Sequence, residues 1–317
     1  MHFGDDSEQG RAPRRIGGIA FIVVALACFG ALDTTTKIAS TAAPVAMAVW
    51  VRYLVQTVVT GAVLWPARRA SLFQTSRPLL QFSRGALLLT CSVIAFFSLR
   101  FMQVGEYTAS VMLTPLLLTV AAAVALHESV SWLRWACVLG GFAGSMAVVR
   151  PGEDLFHWLM LLPLLLVAAN TGFQVLTSRM ARTEDPGTMH FYTGLAGLTL
   201  TTLGLPFAWQ ALPLSVWLVI GLMGLLSTLG HFLLIMAYMR TPVAVLMPYL
   251  CLQIGFATLG GWLVFAHVPD ARSLAGIALV AVSGVFGTWL TGREALASGR
   301  RNEAQSNMVA VAGADAH

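Results

Sequence analysis

Ten stretches of mainly apolar residues, each long enough to cross a bilayer, occupy nearly the whole chain. A helix spanning the hydrocarbon core needs about 20 such residues. The stretches lie at 16–38, 44–65, 79–102, 107–126 and 131–149, then at 156–180, 188–209, 215–238, 242–266 and 273–291. Between them come short turns rich in Pro, Gly and charge, such as Arg150-Pro151-Gly152-Glu153-Asp154 and Arg182-Thr183-Glu184-Asp185-Pro186-Gly187. No turn is long enough for an extramembrane domain. Charged residues make up 10% of the chain, against about 25% in a soluble domain, so most of its surface must meet lipid. The pattern predicts an all-α integral membrane protein of ten transmembrane helices. Its first span is too long for a signal-peptide core and stays in the membrane.

The basic residues set the orientation. With the N-terminus inside, cytoplasmic segments hold 14 of them: Arg11, Arg14, Arg15, Arg68, Arg69, Arg77, Arg84, Arg134, Arg179, Arg182, Arg240, Arg293, Arg300 and Arg301. The outer ends hold four (Lys37, Arg100, Arg150 and Arg272), and Arg52 lies within a span. Positive-inside bias then puts both termini in the cytoplasm, and a bacterial inner membrane is the expected location. The net charge of +5 is spread singly or in pairs between apolar runs, which is membrane anchoring rather than a nucleic-acid patch. Cys28, Cys91, Cys137 and Cys251 fall inside apolar runs without CxxC spacing, so free packed thiols are expected, and no metal.

Ten spans divide into two halves of five, and an odd number makes the second half enter with the opposite orientation, as in inverted-repeat transporters. The expected division is a cytoplasmic tail at 1–15, one five-helix repeat at 16–150, a second at 151–292 and a disordered cytoplasmic tail at 293–317. Pro115 in the fourth span and Pro248 in the ninth support the repeat, as do the small-residue rows ending in Gly144 and Gly284.

Ionisable groups at membrane depth are functional candidates. Asp33 and Lys37 are four apart and share a helix face. Arg52 lies roughly 12 Å in from the outer end of the second span, at a rise of 1.5 Å per residue, which brings it to a depth similar to that of Asp33. These three form either a charge-neutral clasp between helices or the polar lining of a solute path. Trp50 and Tyr53 flank Arg52. In the second half Asn170 falls near mid-membrane, His231 in the inner third of the eighth span, and Tyr249 and Gln253 on one face of the ninth. His231 also reads as a packing histidine bonded across the bundle, and Tyr249 as an interface aromatic. Pro115, Pro163 and Pro248 are candidate hinges. His127-Glu128 reads as a helix end or gate pair rather than a catalytic one.

At these residues the chain resembles the drug/metabolite transporter superfamily, specifically the EamA-type ten-helix permeases. The resemblance is carried by Leu32-Asp33-Thr34-Thr35-Thr36-Lys37, Val49-Trp50-Val51-Arg52-Tyr53, Leu113-Thr114-Pro115-Leu116 and His127 through Trp132. Val149-Arg150-Pro151-Gly152, Gly230-His231, Pro248-Tyr249 and the turn Val268-Pro269-Asp270 extend it over nearly all of 16–291. His267 departs from the acidic residue usual before that turn. The resemblance implies two inverted five-helix halves around a central cavity, with export of amino acids common. The branch it looks closest to includes aromatic amino-acid exporters and S-adenosylmethionine carriers.

The reading is therefore a secondary transporter of small metabolites, most simply an exporter of neutral or aromatic amino acids, whose partners are the solute and the bilayer. No P-loop signature exists, so no ATP and no cofactor is expected. An intramembrane enzyme would want a nucleophile–base pair or a metal cluster at one depth. His190 and His231, the mid-span histidines, have no such spacing. A channel would want rings of one polar residue.

Overall fold

The computed structural model describes residues 11–114, 116–117, 132–149, 161–180, 183–241, 246, 249–250, 252–287, 289–290 and 293. Its described residues are almost entirely helical. The helices are α1 (Arg11–Ala42), α2 (Val45–Arg68), α3 (Pro78–Phe101), α4 (Val104–Val111) and α5 (Trp132–Val149), followed by α6 (Leu162–Met180), α7 (Pro186–Ala208), α8 (Leu214–Arg240), α9 (Leu252–Phe265) and α10 (Ala271–Gly287). A 3₁₀ turn, Arg69–Phe73, follows α2.

Four stretches are long and apolar enough to cross a membrane: Gly17–Ala42, Val45–Arg68, Pro78–Phe101 and Leu214–Arg240. Leu162–Thr177, Leu252–Phe265 and Ala271–Gly287 are apolar but shorter. The chain is a multi-pass membrane protein. Helix α1 begins at Arg11, five residues inside the tail expected at 1–15. The fourth span is not one continuous rod, because α4 ends at Val111 and the chain turns at Met112 and Leu113 before helix resumes at Thr114.

The helix starts follow local chemistry. Asp185 caps α7 by accepting from the Thr188 N–H at 3.1 Å, with Pro186 in the first turn. A missing N–H costs nothing there. Asp270 does the same for α10, accepting from Ser273 N–H at 2.8 Å. The polar run Thr34-Thr35-Thr36 is tolerated in α1 because each hydroxyl donates to a carbonyl three or four residues back, as Thr36 does to Leu32 at 2.7 Å.

Helices pair mainly across the two halves. Helix α1 packs on α8 and α9, α2 on α7 and α8, and α3 on α6 and α7. Close approach needs small residues: a Cβ on Gly30 of α1 would stand 2.7 Å from Cβ of Phe256 in α9. The largest buried apolar cluster gathers Leu26, Leu99, Tyr107, Leu166, Leu246 and Ile254 from both halves.

Candidate functional site

A cavity of about 160 Å³ lies between α1–α4 of the first half and α6, α8 and α9 of the second. Its walls are mostly apolar (Leu32, Phe96, Met223), and the polar groups that reach it include Asp33, Arg52, Ser92, Asn170, His231 and Gln253. Concave, mainly apolar space with a few polar groups is the form of a small-molecule site.

Asp33 is buried and Oδ2 accepts from Thr108 Oγ1 at 3.0 Å and from Gln253 Nε2 at 3.1 Å. This carboxylate therefore ties α1 to α4 in its own half and to α9 in the other. Arg52 is equally buried; its Nε donates to Ser227 Oγ at 2.7 Å and its Nη1 to Ser92 Oγ. Ser227 serves twice, because its carbonyl lies 2.9 Å from His231 Nδ1. A carbonyl only accepts, so Nδ1 carries a proton, and in the neutral ring Nε2 is then an acceptor. The His231 ring also packs edge-on against Phe29, with centroids 4.9 Å apart. Asn170 Nδ2 donates to Thr114 Oγ1 at 3.4 Å.

The clasp expected from spacing is not made. Asp33, Lys37 and Arg52 form no ion pair with one another among the described residues. Lys37 instead donates from Nζ to the carbonyls of Leu99, at 3.0 Å, and Met102, at 2.5 Å. Those are unpaired carbonyls at the end of α3, where a helix dipole favours a cation. Trp50 and Tyr53 do not line the cavity: Trp50 Nε1 donates to Thr202 Oγ1 at 3.0 Å, and Tyr53 Oη shares a 2.9 Å bond with the lining residue Ser92. Tyr249 packs against the main apolar cluster rather than lining the cavity. Pro163 sits in the first turn of α6, where proline is accommodated without a kink, so it is no mid-helix hinge. Pro115, Pro248 and the pair His127-Glu128 lie outside the described residues.

Sequence reasoning missed the hydroxyls that hold the charges, namely Ser92, Thr108 and Ser227. It also counted Arg84 as a loop anchor, whereas Arg84 is 2% exposed within α3. Its Nε donates to Thr177 Oγ1 at 2.8 Å, its Nη1 to the Met189 carbonyl at 2.8 Å and to Thr193 Oγ1, and the guanidinium lies 4.9 Å from the Phe173 ring centroid. The sequence signal was available: Arg84 follows Pro78, the first residue of its helix, by nearly two turns.

The end of the bundle holding the α2–α3 and α6–α7 connections is tied across the halves. Glu184 accepts from Thr75 Oγ1 and Ser76 Oγ, both at 2.7 Å, and from Gln81 Nε2 at 3.2 Å. Arg68 pairs with Asp185, and Tyr192 Oη donates to the Phe73 carbonyl at 2.9 Å. Burial alone would raise the Glu184 carboxyl; the donors outweigh it and hold the group below its ordinary value. Asp185 is lowered likewise, burial being outweighed by the Arg68 guanidinium and the α7 N–H groups. At the opposite end Glu106 accepts from Ser273 Oγ at 2.9 Å, joining α4 to α10.

The comparisons agree with this architecture. Residues 16–150 match the EamA-like transporter family. A riboflavin transporter of Vibrio cholerae is 30% identical over 189 residues, which are 58% of this chain. The chain thus spans 62% of that relative's length. An S-adenosylmethionine uptake transporter of Rickettsia bellii is 22% identical over 213 residues, 67% of this chain and 73% of that protein. A solved crystal structure of a protein superposes with a TM-score of 0.62 at 20% identity, covering 89% of this chain and 99% of that one; that likeness concerns the fold alone. Residues 16–150, less than half of the chain, are thus similar to the EamA-like transporter family, the resemblance that the sequence motifs carry.

Proposed function

We propose that this chain is a secondary transporter of a small metabolite, which occupies the Asp33–Arg52 cavity and crosses a bacterial inner membrane by alternating access. The observation that carries the reading is the position of the cavity: a buried carboxylate and a buried guanidinium face it, and helices of both halves enclose it. Rocking the halves would turn such a site from one side to the other.

The helix contacts favour two inverted five-helix repeats. Replacing each helix by the one five places on turns the α1–α8 contact into α6–α3, α8–α2 into α3–α7, and α1–α9 into α6–α4, all of which occur. The α2–α7 and α4–α9 contacts map onto themselves, and so does α5–α10, where a Cβ on Gly144 would meet the Gly276 carbonyl at 2.8 Å. The break in the fourth span at Met112–Leu113 lies beside the cavity, where broken helices form transporter sites. In this reading both termini and the Glu184 end face the cytoplasm.

The solute we favour has an amino-acid head group on an apolar or aromatic body, so that its carboxylate meets Arg52 and its amine Asp33. Aromatic and other neutral amino acids fit, and S-adenosylmethionine adds the same head group to a heteroaromatic ring. A second reading, riboflavin, is favoured by the 30% identity to a protein of that name. Counterflow in proteoliposomes separates them: labelled tryptophan, S-adenosylmethionine and riboflavin are each offered against an unlabelled internal pool. Exchange of one of the first two supports the head-group reading; exchange of riboflavin alone replaces it. A leak without exchange would make the protein a channel, and chemical conversion of the solute an enzyme.

A further inference from the structure

One buried charge lies outside the cavity lining. Arg84 is 2% exposed, lies on a membrane-spanning helix and forms no ion pair among the described residues. A guanidinium taken from water without a counter-ion is costly, and ionisable groups at this depth mark transport routes. Every partner it has is neutral and belongs to the other half: Thr177 on α6, and the Met189 carbonyl and Thr193 on α7.

Counting along the helices places it. Arg84 is six residues into α3 and Arg52 sixteen residues from the end of α2. At 1.5 Å per residue these are roughly 9 Å and 24 Å from the Glu184 end. Phe173 stands between them, lining the cavity and presenting its ring to the Arg84 guanidinium.

Four of the five buried side-chain polar atoms without a partner among the described residues lie below the level of Arg52, the fifth being His267 Nε2. Gln56 Oε1 and Thr60 Oγ1, one and two turns below Arg52 on α2, have no partner, nor do Gln81 Oε1 on α3 and His190 Nε2 on α7. All four side chains are buried. Gln56 donates to the His190 carbonyl at 3.1 Å, so the α2 and α7 groups adjoin, and His190 follows the Met189 whose carbonyl Arg84 holds. Buried polar groups are almost always paired, and leaving one unpaired costs stability. Such a cluster fits a seam that water enters in another conformation.

We propose that Arg84 is a second anion station of the transport route, covered here by contacts across the halves and uncovered when the Glu184 end parts. There it takes an oxyanion group, such as the carboxylate of a solute that has left Arg52. Parting the halves removes all three neutral acceptors from the guanidinium at once, and water and an anion replace them. The inference rests on the alternating-access reading.

Thiol labelling tests it without knowledge of the solute. In a chain whose four native cysteines are replaced, Thr193→Cys or Thr177→Cys is exposed, from the face carrying the Glu184 loop, to impermeant methanethiosulfonates. One reagent bears a sulfonate and one a quaternary ammonium, with rates normalised to a free thiol. A site of one charge sign concentrates its counter-ion about tenfold or more. The sulfonate reagent should therefore react about tenfold faster than the cationic one, and Arg84→Gln should remove the preference. Equal normalised rates with Arg84 present, or no labelling of either cysteine from that face, would overturn the proposal. Counterflow is read separately: charge-selective labelling in a protein that exchanges none of the three solutes would sink the solute assignment and leave the anion station standing.

Discussion

Asp33 and Arg52 face one cavity from consecutive helices without touching, Asp33 held by a hydroxyl and an amide and Arg52 by two hydroxyls, all from other helices. A direct ion pair would neutralise both. In the proposed carrier, separate neutral partners hold the two charges apart, so that each can meet one end of a solute.

This separation predicts what Asp33→Asn does. Arg52 keeps Ser227 and Ser92, so the variant should fold with a loss of only about 1 kcal/mol, the net worth of a hydrogen bond. Exchange should fall at least about tenfold, a factor equivalent to roughly 1.4 kcal/mol of lost solute binding. Transport at the wild-type rate in this variant would remove Asp33 from the site.

Packing behind Arg52 gives a second prediction. A Cβ on Gly197 of α7 would lie 2.5 Å from the Tyr53 ring, and Tyr53 is bonded to Ser92, the partner of Arg52. Gly197→Ala should destabilise the protein by about 1–3 kcal/mol, as overpacking does, and should weaken solute binding through the displaced tyrosine. Thermal unfolding in detergent together with solute affinity checks both effects. An unchanged midpoint would mean that the α2–α7 seam has room for a methyl group at Gly197.

The Glu184 clasp should be acid-sensitive. Its donors hold the carboxyl below its ordinary value, about 4.3 for glutamate. A depressed folded-state value contributes stability above the ordinary value, and that contribution is lost as pH falls through the folded one. Glu184→Gln should therefore melt below wild type at pH 7, and the gap should narrow once the pH drops under about 4. A gap that stays constant from pH 7 downward would show that the clasp does not depend on the charge.

Orientation is a separate matter from the cavity. The proposed cytoplasmic C-terminus predicts that a reporter active only in the cytoplasm, fused after Ala297, gives full signal. Signal from a periplasm-only reporter at the same site would invert the topology.

The helices were legible because a membrane span is written in composition: α1, α2, α3 and α8 stand out by length and apolarity alone. Their contacts were not. Asp33 and Lys37 do share a face by spacing, yet the long lysine chain reaches the carbonyl end of α3 instead of the carboxylate one turn away. Arg84 resembled a loop anchor because it lies near the start of a helix, and only packing shows α6 and α7 covering it. Serine and threonine partners such as Ser92, Thr108 and Ser227 are too common within apolar spans to be singled out in advance. Asn170, His231 and Gln253 do reach the cavity, since a polar side chain inside an apolar span has few other places to turn.

The most direct measurement of the account is exchange with the Glu184 end locked. Ser76 Oγ and Glu184 Oε1 are 2.7 Å apart, so Ser76→Cys and Glu184→Cys, in a chain without other cysteines, can be joined by a short cleavable cross-linker. Alternating access predicts that the cross-linked protein in proteoliposomes still binds solute, loses counterflow, and regains it on cleavage. Undiminished counterflow with the cross-link intact would contradict a carrier that works by parting its halves at this end.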